Sequence, residues 1–216
     1  LSVYDVVQIA LLDNRRLQAL YEDLMVSQAD VVEAGLLRNP TLSAGIQLPF
    51  AAKVPVVHVG IEQDFLSLLL LPARKRLTEA LFEATKLRVA HEVTDFATDV
   101  RVAYFRLQGS EQIASMRGEV LEAADAALEL ATRQRDAGNI SDLDLVNETE
   151  MFDRLRIEQA KSQAEVLGLR EDLNRKMGLS GKDTQWTIVS GLPRIPTADP
   201  PTAHLESLAM KQRLDV

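Results

Sequence analysis

The sequence predicts a mainly α-helical protein: a long antiparallel helical hairpin of coiled-coil type, with one β-hairpin inserted between helices. Three observations predict this class. Apolar residues recur at helical spacing through most of the chain. One short region instead alternates polar and apolar residues, the period of a strand. A Gly-Asn helix stop is followed at once by the signature of a new helix start.

The composition excludes several functional classes. Asp and Glu number 32 against 24 Lys and Arg, a formal net charge of −8, whereas nucleic-acid-binding proteins carry a clustered basic face. The absence of cysteine excludes disulfides, thiolate metal sites and cysteine nucleophiles. No apolar run reaches the roughly 18 residues of a membrane-spanning helix. Strands of a membrane β-barrel, at about 10 weakly alternating residues, remain compatible with the sequence.

The first helical segment occupies residues 1–36. Ser2 and Asp5 have the spacing of a capping box, which predicts the start of the helix. Asp13-Asn14 is expected to loosen the helix locally, and Gly35 stands where a left-handed C-terminal cap belongs.

Residues 40–65 form the predicted β-hairpin. Two alternating stretches, each about 30 Å long at roughly 3.3 Å per residue, flank a short connection bounded by prolines. In a membrane barrel the polar side chains would face water in the lumen and the apolar ones would face lipid. A soluble hairpin with one face on a helix is the alternative. The predicted lumen-facing residues are Thr41, Ser43, Gln47, His58 and Glu62, and the predicted lipid-facing residues are Leu42, Ile46, Leu48, Val57, Val59 and Ile61.

Residues 72–178 form the predicted long helical hairpin. Pro72 suits a first helical turn, where its missing N–H costs nothing. A break or bend is expected near Gln108-Gly109, because glycine weakens a helix. The second helix ends at Met177, with Gly178 as the residue after it. The two helices must pack along each other or against partners, because the chain offers no other large core.

The turn between these helices is a candidate docking point. Gly138 is expected to take a left-handed conformation, and Ser141 is expected to cap the next helix. In a helical hairpin about 100 Å long, the turn would lie far from a membrane that holds the β-hairpin. Good turn chemistry alone is the alternative explanation. The predicted partner-docking residues are Asp136, Gly138, Asn139, Ser141, Asp142 and Asp144, whose carboxylates make the turn acidic.

The rest of the chain contains two further segments that differ in composition and periodicity. Residues 179–201 are rich in glycine and proline and indicate an irregular linker, with Trp186 anchoring an extended piece. Residues 202–216 open another helix, whose apolar phase matches the first helix and indicates the start of a second, truncated repeat.

The sequence contains no recognisable catalytic or metal-binding constellation. It lacks metalloprotease, phosphate-loop and nucleophile-elbow motifs. Asp142 and Asp144, two positions apart on a helix, point to different faces and suit the positive end of the helix dipole. The sequence therefore predicts no enzyme, no cofactor and no metal.

Arg74-Lys75-Arg76 is either a solvated helix start or a cluster next to anionic head groups. The histidines stand apart in the sequence, at His58, His91 and His204.

Several motifs, in this order, resemble the first repeat of the TolC-like outer-membrane efflux proteins. A helix running into a strand through AGLLRNPTL at 34–42 is similar to that family, as is PARKR at 72–76 leading into a very long helix. The turn RDAGNISDLDL at 135–145 looks like the family's helix–turn–helix tip. The segment LNRKMGL at 173–179 resembles the close of a repeat, and residues 205–216 the beginning of the next.

The resemblance implies a homotrimer in which each subunit gives strands to a shared β-barrel and helices to a periplasmic tunnel. It implies an exit duct of a tripartite efflux or type I secretion system in the bacterial outer membrane, with most of the chain in the periplasm. The implied partners are a periplasmic adaptor, which meets the turn at Gly138, an inner-membrane transporter and outer-membrane lipid, with no nucleic acid. Because family members carry two repeats, we expect the chain to be a fragment of a longer gene product. A soluble periplasmic helical adaptor or scaffold is the alternative, although the lipoyl-like β segments of an adaptor are not evident.

Overall fold

The computed structural model describes residues 1–47, 56–189, 191–193, 197 and 204–212. This part of the chain is mainly helical with one antiparallel strand pair, so the predicted fold class is confirmed. It divides into two compact units, one of Leu1–Gln18 with Glu92–Gln212 and one of Ala19–His91. None of the helices found there is long and apolar enough to cross a membrane. The elements are α1 (Val3–Asp13), α2 (Arg15–Ala34), β1 (Thr41–Gln47), β2 (Val56–Glu62), α3 (Phe65–Asp136), α4 (Asp142–Met177), a 3₁₀ turn (Gly181–Thr184) and α5 (Leu205–Gln212).

The first helical segment is divided at Asn14, where the sequence predicted a loosening. The amide of Asn14 donates to the carbonyl of Ala10 at 3.2 Å and closes α1. Its Oδ1 accepts the amides of Arg16 at 2.9 Å and Leu17 at 3.2 Å, which caps the start of α2. Its Nδ2 donates to the carbonyl of Lys176 at 2.9 Å. The backbone of Asn14 therefore ends α1, and its nearly buried side chain caps α2 and donates to the end of α4.

The core of the first unit joins three helices. Capped by Ser2 and Asp5 as predicted, α1 presents its apolar side to α3 and α4. Tyr104 is buried in the same cluster, and its hydroxyl donates to the carbonyl of Leu1 at 3.1 Å. Burial of this apolar surface is the main stabilising contribution to the unit. The side chains with no exposed surface are Val6, Ala10, Val100, Leu107, Leu173 and Met177.

Trp186 fixes the segment after α4 to this core, as the sequence predicted. Its side chain is buried, and its Nε1 donates to Asn174 Oδ1 at 2.7 Å. The guanidinium of Arg170 lies 4.3 Å from the centre of the indole ring and donates to the carbonyl of Trp186. Thr187 and Val189 continue the attachment through backbone hydrogen bonds to Leu1.

The predicted helix start at Pro72 is wrong, because α3 begins at Phe65 and contains Pro72 in its interior. The carboxylate of Asp64 explains the earlier start. Its Oδ1 accepts the amides of Leu66 at 3.1 Å and Ser67 at 3.2 Å, two of the amides that a helix start leaves without partners.

The break expected near Gln108-Gly109 is also absent, since α3 is continuous to Asp136. Gln108 is 4% exposed, and its Nε2 donates to the carbonyls of Val189 at 2.8 Å and Gly191 at 2.7 Å. These contacts and the burial of neighbouring Leu107 hold the helix through the glycine.

Of the two glycines predicted to cap helix ends, one has the left-handed conformation and the other does not. Gly35 has no positive φ, so its predicted left-handed conformation is wrong. Instead, α2 closes with 3₁₀-type bonds, the amide of Gly35 donating to the carbonyl of Val32 at 3.1 Å. Gly178, by contrast, ends α4 with φ 72° and ψ 14°, as predicted.

Helix α5 corresponds to the helix predicted over 202–216. Thr202 and the last four residues lie outside the described part of the chain, as do Leu48 and the predicted strand connection.

Candidate functional site

The β-hairpin separates polar from apolar side chains onto its two faces. In the antiparallel register Thr41 lies opposite Glu62, Leu42 opposite Ile61 and Gly45 opposite His58. Residues directly opposite each other in such a pair share a face, and successive residues alternate. One face therefore carries Thr41, Ser43, Gln47, His58 and Glu62, and the other carries Leu42, Ile46, Val57, Val59 and Ile61. Leu48, assigned to the apolar set from sequence, lies outside the described residues.

The polar face is linked across the two strands. His58 Nε2 lies 3.3 Å from Gln47 Oε1. The Ser43 hydroxyl donates to the carbonyl of Gly60 at 3.3 Å, and a Cβ at Gly60 would lie 3.0 Å from that hydroxyl oxygen. Gly60 therefore leaves the space that Ser43 occupies, and small polar groups line this face of the hairpin.

The apolar face is exposed within the chain. Its five large apolar residues keep 62–77% of their surface accessible. A contiguous apolar surface of this kind marks contact with lipid or with another chain. The exposed residues are Leu42, Ile46, Val57, Val59 and Ile61.

The turn between α3 and α4 has the backbone that the sequence predicted. Gly138 has φ 77°, and its amide donates to the carbonyl of Arg135 at 2.9 Å. The amide of Asn139 donates to the carbonyl of Gln134 at 2.8 Å, which completes the end of α3. Ser141 and Asp144 form a reciprocal capping box at the start of α4.

The charges at this turn are more balanced than the sequence indicated. Arg135, which sequence reasoning missed, pairs with Asp142 at 2.8 Å and with Asp136 at 3.4 Å. The hydrogen bond to Asp142 raises the pKa of Arg135. The third carboxylate, Asp144, accepts from the hydroxyl of Ser141 at 2.7 Å and from its amide at 3.1 Å, and these bonds lower the pKa of Asp144. The carboxylates are therefore engaged in building the turn. Arg135 stands in the last turn of α3, where the negative end of the helix dipole stabilises a cation. This position is the sequence signal that could have identified Arg135.

The helices on either side of the turn run antiparallel. Arg117 Nη1 on α3 donates to the carbonyl of Glu158 on α4 at 3.2 Å. Glu111 and Arg170 form an ion pair at 3.8 Å nearer the core. These two polar contacts join α3 to α4 between the buried core and the turn.

The histidines lie on separate elements, with His58 on β2, His91 on α3 and His204 directly before α5. Among the residues that the structure describes, no three His, Asp or Glu side chains form a group that could hold a metal ion.

No protein-family model and no curated protein matches the chain. Solved structures do match it. CmeC, an outer-membrane channel of Campylobacter jejuni, superposes with a TM-score of 0.81 at 13% identity, covering 99% of this chain and 48% of CmeC. CusC, which changes conformation as it folds and forms a transmembrane channel, superposes with a TM-score of 0.78 at 19% identity. The match covers 99% of this chain and 51% of CusC. A membrane protein of Pseudomonas aeruginosa has a TM-score of 0.74 at 18% identity, covering 99% of this chain and 52% of that protein.

The chain spans about half the length of the solved structures that it matches. At such low identities the likeness concerns the fold. The order of long helices and one β-hairpin is the feature shared by the sequence motifs and these superpositions. The chain has the fold of one repeat of the TolC-like outer-membrane channel proteins, the family that its motifs resemble.

Proposed function

We propose that the chain forms part of the wall of an outer-membrane exit channel serving a tripartite efflux or type I secretion system. One observation supports the proposal: in the hairpin register the five polar residues assigned to the lumen share one face, and the five described apolar residues assigned to lipid share the other. The exposed apolar face would contact lipid, and the polar face would line an aqueous passage. Solutes would pass by diffusion, with an inner-membrane transporter supplying the energy.

Barrel closure requires strands from outside this hairpin. Outer-membrane barrels contain eight or more strands, and an isolated pair leaves unpaired backbone groups at both edges. Association of three subunits, each giving four strands as the family resemblance implies, would pair these edges. The proposed location is the bacterial outer membrane, with most of the chain in the periplasm.

Cysteine labelling tests the two faces directly, because the chain has no native cysteine. Single variants Ser43→Cys and His58→Cys probe the polar face, and Val59→Cys and Ile61→Cys probe the apolar face. In outer-membrane vesicles, a membrane-impermeant maleimide applied from both sides should label the polar-face positions and leave the apolar-face positions protected. Asn139→Cys on the helical turn serves as a water-exposed control.

Detergent dependence of the unmodified protein completes this test. A channel subunit should require detergent for extraction and then purify as a trimer. Equal labelling of both faces, together with a soluble monomer in detergent-free buffer, would refute the channel and favour a soluble helical scaffold.

The turn at Gly138 is the proposed docking point for a periplasmic adaptor. Its backbone is fixed by the left-handed glycine and the capping box, so it presents a defined surface. A photocrosslinker at Asn139 should capture the adaptor, whereas one at the exposed mid-helix position Ala160 should not. Gly138→Val should weaken the Asn139 cross-link while trimers remain in the membrane. Equal cross-linking at the two positions would contradict docking at the turn.

A further inference from the structure

A charged cleft lies beside the end of the β-hairpin. It has a volume of about 500 Å³ and is formed by the end of α2, the connection into β1 and one side of α3. The side chain of Gln63, directly after β2, donates to the carbonyl of Arg38 at 3.1 Å and ties this connection to the hairpin. The cleft is therefore fixed next to the strand ends, at the pair Thr41 and Glu62.

The cleft carries two charges of each sign. Arg38 and Arg74 supply the cations, and Asp30 and Glu33 supply the anions. None of the four forms a salt bridge with another residue in the described chain, whereas neighbouring Lys75 pairs with Glu79. Arginine suits a phosphate because its planar fork can donate two parallel hydrogen bonds. The carboxylates offer a complementary site for an ammonium group.

A slot lined by apolar side chains together with Gln63 and the cap residue Asp64 adjoins this cleft. The two share Leu37, Arg38 and Asn39, and the slot, of about 310 Å³, extends to Phe65 and Leu68 at the start of α3. Phe65 is 75% exposed, and Leu69 on the same helix end is 76% exposed. Both volumes fall in the range of small-molecule sites, roughly 300–1,000 Å³. Charged and apolar surfaces thus meet at Arg38.

We propose that this cleft and slot bind a zwitterionic aminophospholipid, such as phosphatidylethanolamine. Arg38 and Arg74 would hold the phosphate, Asp30 and Glu33 the ammonium group, and Phe65 and Leu68 the first part of an acyl chain. The inference rests on the proposed membrane location of the hairpin, which would bring the strand ends to head-group level. The two carboxylates of the cleft and Asp64 of the slot favour a zwitterionic over an anionic lipid, since they would repel a head group carrying phosphate alone.

Lipid retention measured by native mass spectrometry tests this assignment. The protein, purified in detergent, is titrated with phosphatidylethanolamine or phosphatidylglycerol. The wild type should retain phosphatidylethanolamine preferentially. The double variant Arg38→Ala/Arg74→Ala should weaken that retention by about tenfold, the loss expected for two exposed charge contacts. Asp30→Asn/Glu33→Gln should still bind phospholipid but shift its preference to phosphatidylglycerol.

Arg76→Ala is the matched control, because Arg76 is an exposed cation on the same helix that does not line the cleft. Equal retention by the wild type and both double variants would overturn the site, as would the same loss in Arg76→Ala. Circular dichroism confirms that each variant keeps its helices. If the cysteine labelling supports the channel and the lipid series does not, only the lipid site fails. A soluble wild-type monomer would instead reject the proposed channel.

Discussion

Position 178 requires glycine for two reasons, its backbone conformation and its close approach to another segment, and experiment can separate them. It has φ 72°, a conformation that costs an L-residue about 1–2 kcal/mol. In addition, a Cβ there would lie 2.5 Å from the carbonyl oxygen of Asp13 and 3.0 Å from its carbonyl carbon. These are backbone atoms at the end of α1, so a rotamer change cannot relieve the clash. Forcing extra atoms into a packed site typically costs a further ~1–3 kcal/mol.

We therefore expect Gly178→Ala to lower the free energy of unfolding by about 2–5 kcal/mol, the sum of these two contributions. Gly138 provides the matched control, because its φ is 77° and a Cβ there would meet open space. Gly138→Ala should cost only the conformational part, about 1–2 kcal/mol. Unfolding by urea, followed by far-ultraviolet circular dichroism on the detergent-solubilised protein, measures both.

Asparagine separates conformation from contact, because it adopts positive φ more readily than alanine but still carries a Cβ. Gly138→Asn should recover most of the stability lost in Gly138→Ala. Gly178→Asn should remain strongly destabilised. Equal losses for alanine at the two glycines, or recovery by asparagine at Gly178, would show that the close approach to Asp13 does not contribute.

Two further predictions concern helix caps. Asn14→Ala should cost about 1–3 kcal/mol, since it removes a cap and the hydrogen bond to Lys176. Asn14→Ser should keep the cap and lose only the donation to Lys176, so equal urea midpoints for the two variants would contradict this. Because Ser141 lowers the pKa of Asp144 in the folded protein, the capping box should stabilise α4 above the unfolded carboxyl pKa of about 3.9 and lose that effect as pH falls through the folded pKa. An acid titration followed by circular dichroism should show this component in the wild type and not in Asp144→Asn, and parallel curves would reject it.

Local signals were sufficient wherever the determining contacts lie within one turn. The capping boxes at Ser2 and Ser141 involve partners three residues away, and Gly138 and Gly178 owe their conformation to their own backbone. The sequence was misleading at Pro72 because proline favours a first helical turn, whereas the Asp64 side chain caps α3 at its earlier start, Phe65. It also failed at Gln108, whose partners Val189 and Gly191 lie 81 and 83 residues away. No local pattern contains such a contact.

In the candidate site, too, some features could be predicted from local sequence and others could not. Period 2 was enough to sort the hairpin residues into two faces, because side-chain direction in a strand depends only on position. The role of Arg135 was missed because its partner Asp142 lies across a turn whose geometry had first to be known. The cleft at Arg38 and Arg74 depends on residues from α2, the connection and α3 together.

The register of the hairpin links its sequence to the proposed channel wall. A shift of one residue would move every side chain of one strand to the opposite face, placing Leu42 and Ile46 in the polar set. The contact between Ser43 and Gly60 favours the observed register, because the serine hydroxyl fits closely against a residue that has no Cβ. Gln47 and His58 form a second polar contact nearer the other end of the pairing. The residues that would make the passage polar therefore also fix the alignment that keeps it polar.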